Sequence, residues 1–367
     1  MTMGELPQRR KDVDVARGLA IFLIVVHHVS QYFGRYVPES FHAGFGNNLA
    51  EALGYVNVPT FILMAGIVLA IGNKPLGTVG DYLRFEKRRA CRLMLPFLVV
   101  SLLSLLVKTV YAGRASSTGW SALVNTVIAP RGGAAGHLWF LYCLMGIFLV
   151  WPLLIRLGPG RRFPLLWAVL LLVAILPIPG LRDDEGRPYF ELSDVLWYLP
   201  LFAAGYWYGK LPLEKQRPRL AGILAGSGLL AGSLAVRFWV SWPAGYAWEA
   251  LGNAIKWLGY AGGCFALLWI CGLITMRARR LRDVLEKMGL YSYDIYLLHV
   301  LFVGHPLALL TSKLAAGPVL AYCMYAVTIL AAVVVPMGMA RVIRSIPKLA
   351  FVVLGVPLAH PARPAAS

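Results

Sequence analysis

Apolar residues run in long blocks along this chain, and the polar positions gather in the short stretches between them. Blocks of the length a helix needs to cross a hydrocarbon core, roughly 20 residues, recur near 15–34, 53–72, 93–112, 136–155, 163–180, 192–209, 219–240, 250–275, 289–311 and 317–343. Most of the intervening segments hold Gly, Pro or charge clusters, which punctuate helices. The pattern predicts an all-α polytopic membrane protein of about ten transmembrane helices with no soluble domain. Its layout is a cytoplasmic N-terminal tail over 1–14, a membrane domain over 15–344 and a cytoplasmic C-terminal tail over 345–367. Arg9, Arg10 and Lys11 precede the first block, but no small-residue cleavage site follows it. The segment is therefore expected to stay as a first helix rather than be removed as a signal peptide.

Composition narrows the class. Of 367 residues, 59% are hydrophobic and 14% charged, with a mean hydropathy of +0.67. A soluble domain has roughly 45–50% apolar and about 25% charged residues, so an ordinary cytosolic enzyme and a disordered chain are both excluded. Lys and Arg number 35 against 17 Asp and Glu, a formal charge of +18. An excess of that size elsewhere would suggest a nucleic-acid partner. With the N-terminus in the cytoplasm, however, the outer loops receive only Arg35, Arg114, Arg131, Arg182, Arg187, Arg237 and Lys313. Lys108 and Lys256 fall within blocks, and the remaining cations lie inside. That is the positive-inside rule; it places both termini in the cytoplasm and removes the nucleic-acid reading. Asp183, Asp184, Glu185 and Glu191 precede the sixth block on the outer side and are expected to be a solvated loop. Cys91, Cys143, Cys264, Cys271 and Cys323 stand alone, without a CxxC pair or a His at metal spacing, so neither a disulfide framework nor a metal site is predicted.

Ionisable groups at membrane depth are expensive and are functional candidates by default. The first block carries Arg17, His27 and His28, with Asp14 just ahead of it. At 100° and 1.5 Å per residue, Arg17 and His28 share a helix face about 16 Å apart, whereas His27 lies about 80° away. Arg17 alone would snorkel to headgroups. A histidine in the outer half, aligned with a cationic entrance, is a functional candidate, and His27 is expected to be structural. At the start of the third block Arg88 and Arg92 stand i, i+4 on one face, suited to a single multivalent anion. The fourth block opens with His137, Trp139 and Tyr142. The two aromatic residues suit an interfacial belt, and His137 suits a hydroxylated substrate or water equally. In the ninth block Ser292, Tyr296 and His299 form a polar stripe toward the bundle interior. Asp294 is off that stripe and is expected to cap or to pair with a cytoplasmic Arg, while His305 lies further out. Lys256 and Asp194 are isolated charges with no partner deducible from the sequence.

The chain resembles the acyltransferase 3 family over nearly its whole length. The resemblance rests on Asp14-xx-Arg17-Gly with His28 eleven positions beyond Arg17, on Arg88-xxx-Arg92 leading to Pro96, and on His137-Leu-Trp139-Phe-Leu. It rests also on Pro59-Thr-Phe61-Ile-Leu-Met-Ala-Gly66, Leu199-Pro-Leu-Phe202-xx-Gly205 and Ser292-Tyr-Asp-Ile-Tyr296-Leu-Leu-His299. It implies an integral-membrane O-acetyltransferase that moves an acetyl group from acetyl-CoA to a glycan hydroxyl at the outer side of the bacterial inner membrane. The acceptor would be an exopolysaccharide or O-antigen-type glycan, or a lipid-linked oligosaccharide. The family's arginine-to-histidine motif falls on Arg17 and His28, and its paired arginines on Arg88 and Arg92. Ala65 stands where the family often has Ser, and the lack of an appended esterase-like domain favours direct transfer.

Coenzyme A carries phosphates at one end and a thioester on a long arm. Arg17, Arg88 and Arg92 suit the phosphates, since guanidinium groups bind them bidentately. His28, the expected catalytic residue, lies roughly half a hydrocarbon core deeper. His137, Trp139, Tyr296 and His299 are the expected substrate-binding residues, and no metal is called for. A polytopic glycan or lipid transporter would also explain the spans and buried charges. A scaffold for a polysaccharide synthase would not need buried His or Arg.

Overall fold

In the computed structural model the described residues are 10–36, 43–72, 78–112, 118–133, 135–157, 163–178, 180–181, 188–302 and 318–357. They form helices in the order α1 (Lys11–Tyr36), α2 (Ala43–Gly54), α3 (Asn57–Gly72), α4 (Val79–Ala112), α5 (Thr118–Ile128), α6 (Trp139–Leu157) and α7 (Phe163–Ile175). The series continues with α8 (Leu192–Lys210), α9 (Leu220–Trp239), α10 (Tyr246–Arg277), α11 (Arg279–Leu290), α12 (Ser292–Phe302), α13 (Pro318–Arg344) and α14 (Pro347–Leu354). No separate soluble domain is evident among the described residues.

The first helix is the central post. Asp12 and Asp14 in its first turn complement the positive end of the helix dipole. Its 26 residues extend about 39 Å, enough to cross a core of roughly 30 Å. Ala16, Ala20, Ile21, Ile24 and Val25 are buried, and around them α1 packs against α2, α3, α10, α11, α12 and α13.

Several crossings are close enough to need glycine, among them α3 on α8 and α1 on α11. A Cβ on Gly66 would stand 2.2 Å from the Phe202 carbonyl oxygen, and one on Gly205 would stand 2.1 Å from that of Leu63, so α3 and α8 touch backbone to backbone. Likewise a Cβ on Gly18 would stand 1.9 Å from the Leu285 carbonyl oxygen and one on Gly289 1.9 Å from that of Asp14, which seats α11 against the turn of α1 that carries Arg17. Small residues at such sites let membrane helices approach without a hydrophobic driving force.

Seven described helical segments are long and apolar enough to span a bilayer, fewer than the ten blocks the sequence pattern predicts. The fifth block forms α7, only 13 residues, and the sixth forms α8, whose 19 residues include Asp194 and Lys210. The ninth block forms α12 only as far as Phe302 among the described residues, and His305 lies outside them. The predicted C-terminal tail begins with structure: Ala350, Val353 and Leu354 of α14 are buried and the helix packs on α4 and α13.

Candidate active site

Two distant stretches of chain meet at a pair of histidines. His28 on α1 and His299 on α12 stand with Nδ1 of the former 2.9 Å from Nε2 of the latter. His299 Nδ1 lies 2.8 Å from the Ile295 carbonyl and 3.0 Å from that of Tyr296. Carbonyls only accept, so Nδ1 of His299 carries the hydrogen and its Nε2 is a lone-pair acceptor. His28 therefore donates from Nδ1, and the lone pair of a neutral His28 is on Nε2. His137 completes the group, its ring centroid 6.3 Å from that of His28 and 5.6 Å from that of His299. It sits in the single tight turn Gly136–Leu138 that leads into α6, and its backbone carbonyl accepts from the Tyr296 hydroxyl. His27 turns its Nδ1 to the Ala50 carbonyl at 2.6 Å, while its ring stands edge-on to that of His28 at 5.2 Å.

On the Arg17 side of this group lies a cavity of about 160 Å³ lined by Arg17, Arg89, Arg92 and Ser292 and walled by apolar residues such as Phe61 and Phe140. The Arg89 guanidinium stands 4.5 Å over the Phe148 ring and 5.1 Å over that of Phe85, a cation–π seat that orients its fork. Arg92 is fixed through its backbone: its carbonyl accepts from the Tyr293 hydroxyl at 2.6 Å. Gly355, at φ 61°, crowds the same carbonyl so that a Cβ would stand 2.4 Å from it. Asp294 pairs with Arg344 at 2.6 Å. The Ser292 hydroxyl is buried and has no hydrogen-bond partner among the described residues.

Beyond the histidines opens a larger cavity of about 900 Å³, lined among others by His27, His28, His137, Trp139 and Tyr198. Arg131 stands 3.7 Å over the Trp139 ring, held by Glu191 at 3.2 Å and Asp194 at 3.1 Å. The Tyr198 ring is 6.0 Å from Trp139 and lies nearly parallel to Tyr260 at 6.2 Å. Lys256 lies over the faces of Trp197 and Tyr260, at 5.8 and 5.7 Å. Glu191 is fully buried. Burial, joined by a hydrogen bond with Asp194, pushes its carboxyl up to about 9 against the pull of Arg131. The backbone tightens there too, with Phe190 and Glu191 both in the left-handed region at φ 50° and 53°. Tyr296 lines both cavities.

A sequence profile described as an acyltransferase domain, that of the acyltransferase 3 family, matches residues 10–337. The chain belongs to that family. The acyltransferase is also similar to a protein of Komagataeibacter xylinus described as a candidate membrane-bound transacylase, BcsY, at 27% identity over an alignment of 324 positions that covers 79% of this chain and 72% of that one. It is a multi-pass membrane acyltransferase.

Of the residues singled out in the sequence, the acyltransferase brings His28, His137, Tyr296 and His299 into one cluster, with Trp139 on the wall of the larger cavity. Arg17 and Arg92 line the smaller cavity; Arg88 is exposed and does not. Arg89, one position on, takes that place. Arg131 and the two acids that hold it were not legible as a unit: Glu191 is a buried group that accepts from Arg131 rather than part of a solvated loop, and Asp194 finds its partner 63 positions away. An acid opening an apolar block was the available signal, since it demands a partner somewhere. Asp183, Asp184 and Glu185 lie outside the described residues.

Proposed function

We propose that the protein is an O-acetyltransferase that takes the acetyl group of acetyl-CoA from the cytoplasm and places it on a sugar hydroxyl of an exopolysaccharide or O-antigen-type glycan, free or lipid-linked, at the outer side of the bacterial inner membrane. The observation that carries this reading is that Tyr296 lines both cavities beside the histidine pair. A donor entering from one side and an acceptor from the other would meet there. The charge asymmetry of the loops supports cytoplasmic termini, which turns the arginine-lined cavity toward the donor's compartment.

Arg17, Arg89 and Arg92 would hold the donor's phosphates at the mouth, with Arg88 outside them. A cavity of about 160 Å³ suits the slender arm and excludes the nucleotide. The Ser292 hydroxyl, without a partner among the described residues, supplies a hydrogen bond to an amide of that arm. His28 acts as general base: Nε2 takes the proton of the acceptor hydroxyl as its oxygen attacks the thioester carbonyl. The C–O bond forms, the C–S bond breaks, and the imidazolium returns the proton to the departing thiolate. His299 is a positioning residue that fixes the tautomer of His28, as an orienting partner does in other base-catalysed acyl transfers. Transient acetylation of His28 is the alternative route.

His28→Ala should insert normally, bind acetyl-CoA and lower acetylation about 10²–10⁴-fold, whereas His27→Ala should be far milder. Proton NMR of O-acetyl groups on glycan purified from a deletion strain expressing each variant checks this. Near-normal acetylation with His28→Ala would remove the mechanism.

A further inference from the structure

The large cavity does not end at the reacting group. A second cleft of about 510 Å³ lies beside it, and Gly245, Glu249, Asn253 and Lys256 line both. On α10 the positions 249, 253, 256 and 260 recur at i, i+4, i+7 and i+11, so one helix face floors the whole passage. From Glu249 to Tyr260 that face extends about 16 Å, longer than a single sugar ring. At the far end the rings of Trp242 and Trp248 are in tilted contact, centroids 5.5 Å apart and planes at 43°, and line the cleft side by side. The turn that brings Trp242 back over the start of α10 passes through Gly245 at φ 140°, a conformation L residues rarely adopt.

Interfacial anchoring explains a lone exposed tryptophan such as Trp239, which is 83% exposed. It does not explain two indoles that wall a cleft together with an amide, a carboxylate and an ammonium group. Flat negative π-faces beside hydrogen-bonding groups match a sugar ring, which presents polarised C–H bonds on its faces and hydroxyls at its edge. We propose that the Trp242–Trp248 cleft is a second glycan subsite continuous with the acetyl-accepting chamber, so that the acceptor is a chain of several sugars held across both. This rests on the acetyl-to-sugar reading above and adds to it the length of the acceptor.

The test uses the full-length protein in nanodiscs, acetyl-CoA, and length-sorted fragments of the strain's own surface glycan prepared from cells lacking the protein. With the wild-type protein KM should fall as the fragments lengthen. Trp242→Ala with Trp248→Ala should abolish that fall, raising KM for the longest fragments about tenfold and leaving KM and kcat for the shortest unchanged. Trp248→Phe should restore most of the length dependence. A wild-type KM independent of length, or an equal rise in KM for the shortest and longest fragments, would overturn the subsite. A wild-type protein that acetylates no fragment would instead overturn the acetyl-to-sugar reading, and the subsite with it.

Discussion

Arg88 and Arg89 are one helical step apart, and that step of 100° separates an exposed cation from one seated on two aromatic faces in the smaller cavity. Arg89→Ala should weaken acetyl-CoA binding by about 1.5–3 kcal/mol, the cost of one charge-assisted hydrogen bond, and Arg88→Ala should leave it nearly unchanged. Titration calorimetry on purified protein separates the two, and the opposite order would return the phosphate site to the 88/92 face. At the other cavity, the raised Glu191 pKa has a definite sign. Its folded value of about 9 exceeds the usual carboxyl value of about 4.3, so the folded state binds the proton more tightly. The stability this contributes is full below about pH 4.3 and is lost as pH rises through about 9. Thermal melts between pH 6 and 10 should therefore decline for the wild-type protein and flatten for Glu191→Gln, which mimics the protonated carboxyl. Asp194→Asn should also flatten them, because Glu191 then becomes the carboxylate that balances Arg131 and its pKa falls. A steep decline retained in Glu191→Gln would place the titrating group elsewhere.

Glycines govern the element scale. Because a Cβ on Gly66 or Gly205 would meet backbone rather than a flexible side chain, at 2.2 and 2.1 Å, neither neighbour can yield by rotating. Gly66→Ala and Gly205→Ala should each cost about 1–3 kcal/mol of stability through overpacking, and in combination less than the sum, since one separation of α3 from α8 accommodates both. Detergent-solubilised melting curves of the two single variants and the double variant measure this; strict additivity would show that the two contacts are independent. Both positions were legible in the sequence as letters of a family pattern, but their reason, a mutual backbone contact, belongs to packing. The stripe from Arg17 to His28 was legible because helical period alone aligns two residues on one helix. The i, i+4 rule also aligned Arg88 with Arg92, yet it cannot say which face of α4 turns inward, and there Arg89 was passed over. The His28–His299 contact spans 271 positions and the Arg131–Glu191 contact 60. Local pattern carries no information about such pairs, so the histidines were found singly and the relay between them was not.

At the scale of the whole molecule, a bundle of apolar helices is normally an insulator as thick as the bilayer. Here one cavity is cut in from the arginine side and another from the histidine side, with Tyr296 on the wall of each and its hydroxyl anchored to the His137 carbonyl. The protein is thus a dielectric with a thin spot. If both cavities fill with water in an energised membrane, the potential, worth about 2.3 kcal/mol per elementary charge per 100 mV, would fall mainly across that septum, and a proton shifted between His28 and the donor's thiolate, as the proposed mechanism has it, would move in a concentrated field. The septum must also keep protons from crossing unescorted. Tyr296→Phe, which keeps the ring, should leave vesicles holding a pH gradient as well as the wild-type protein does, and Tyr296→Gly should let the gradient collapse, followed with an entrapped pH-sensitive dye. Under the proposed mechanism, moving an acyl group through the membrane and sealing that membrane against protons are demands on the same aromatic ring.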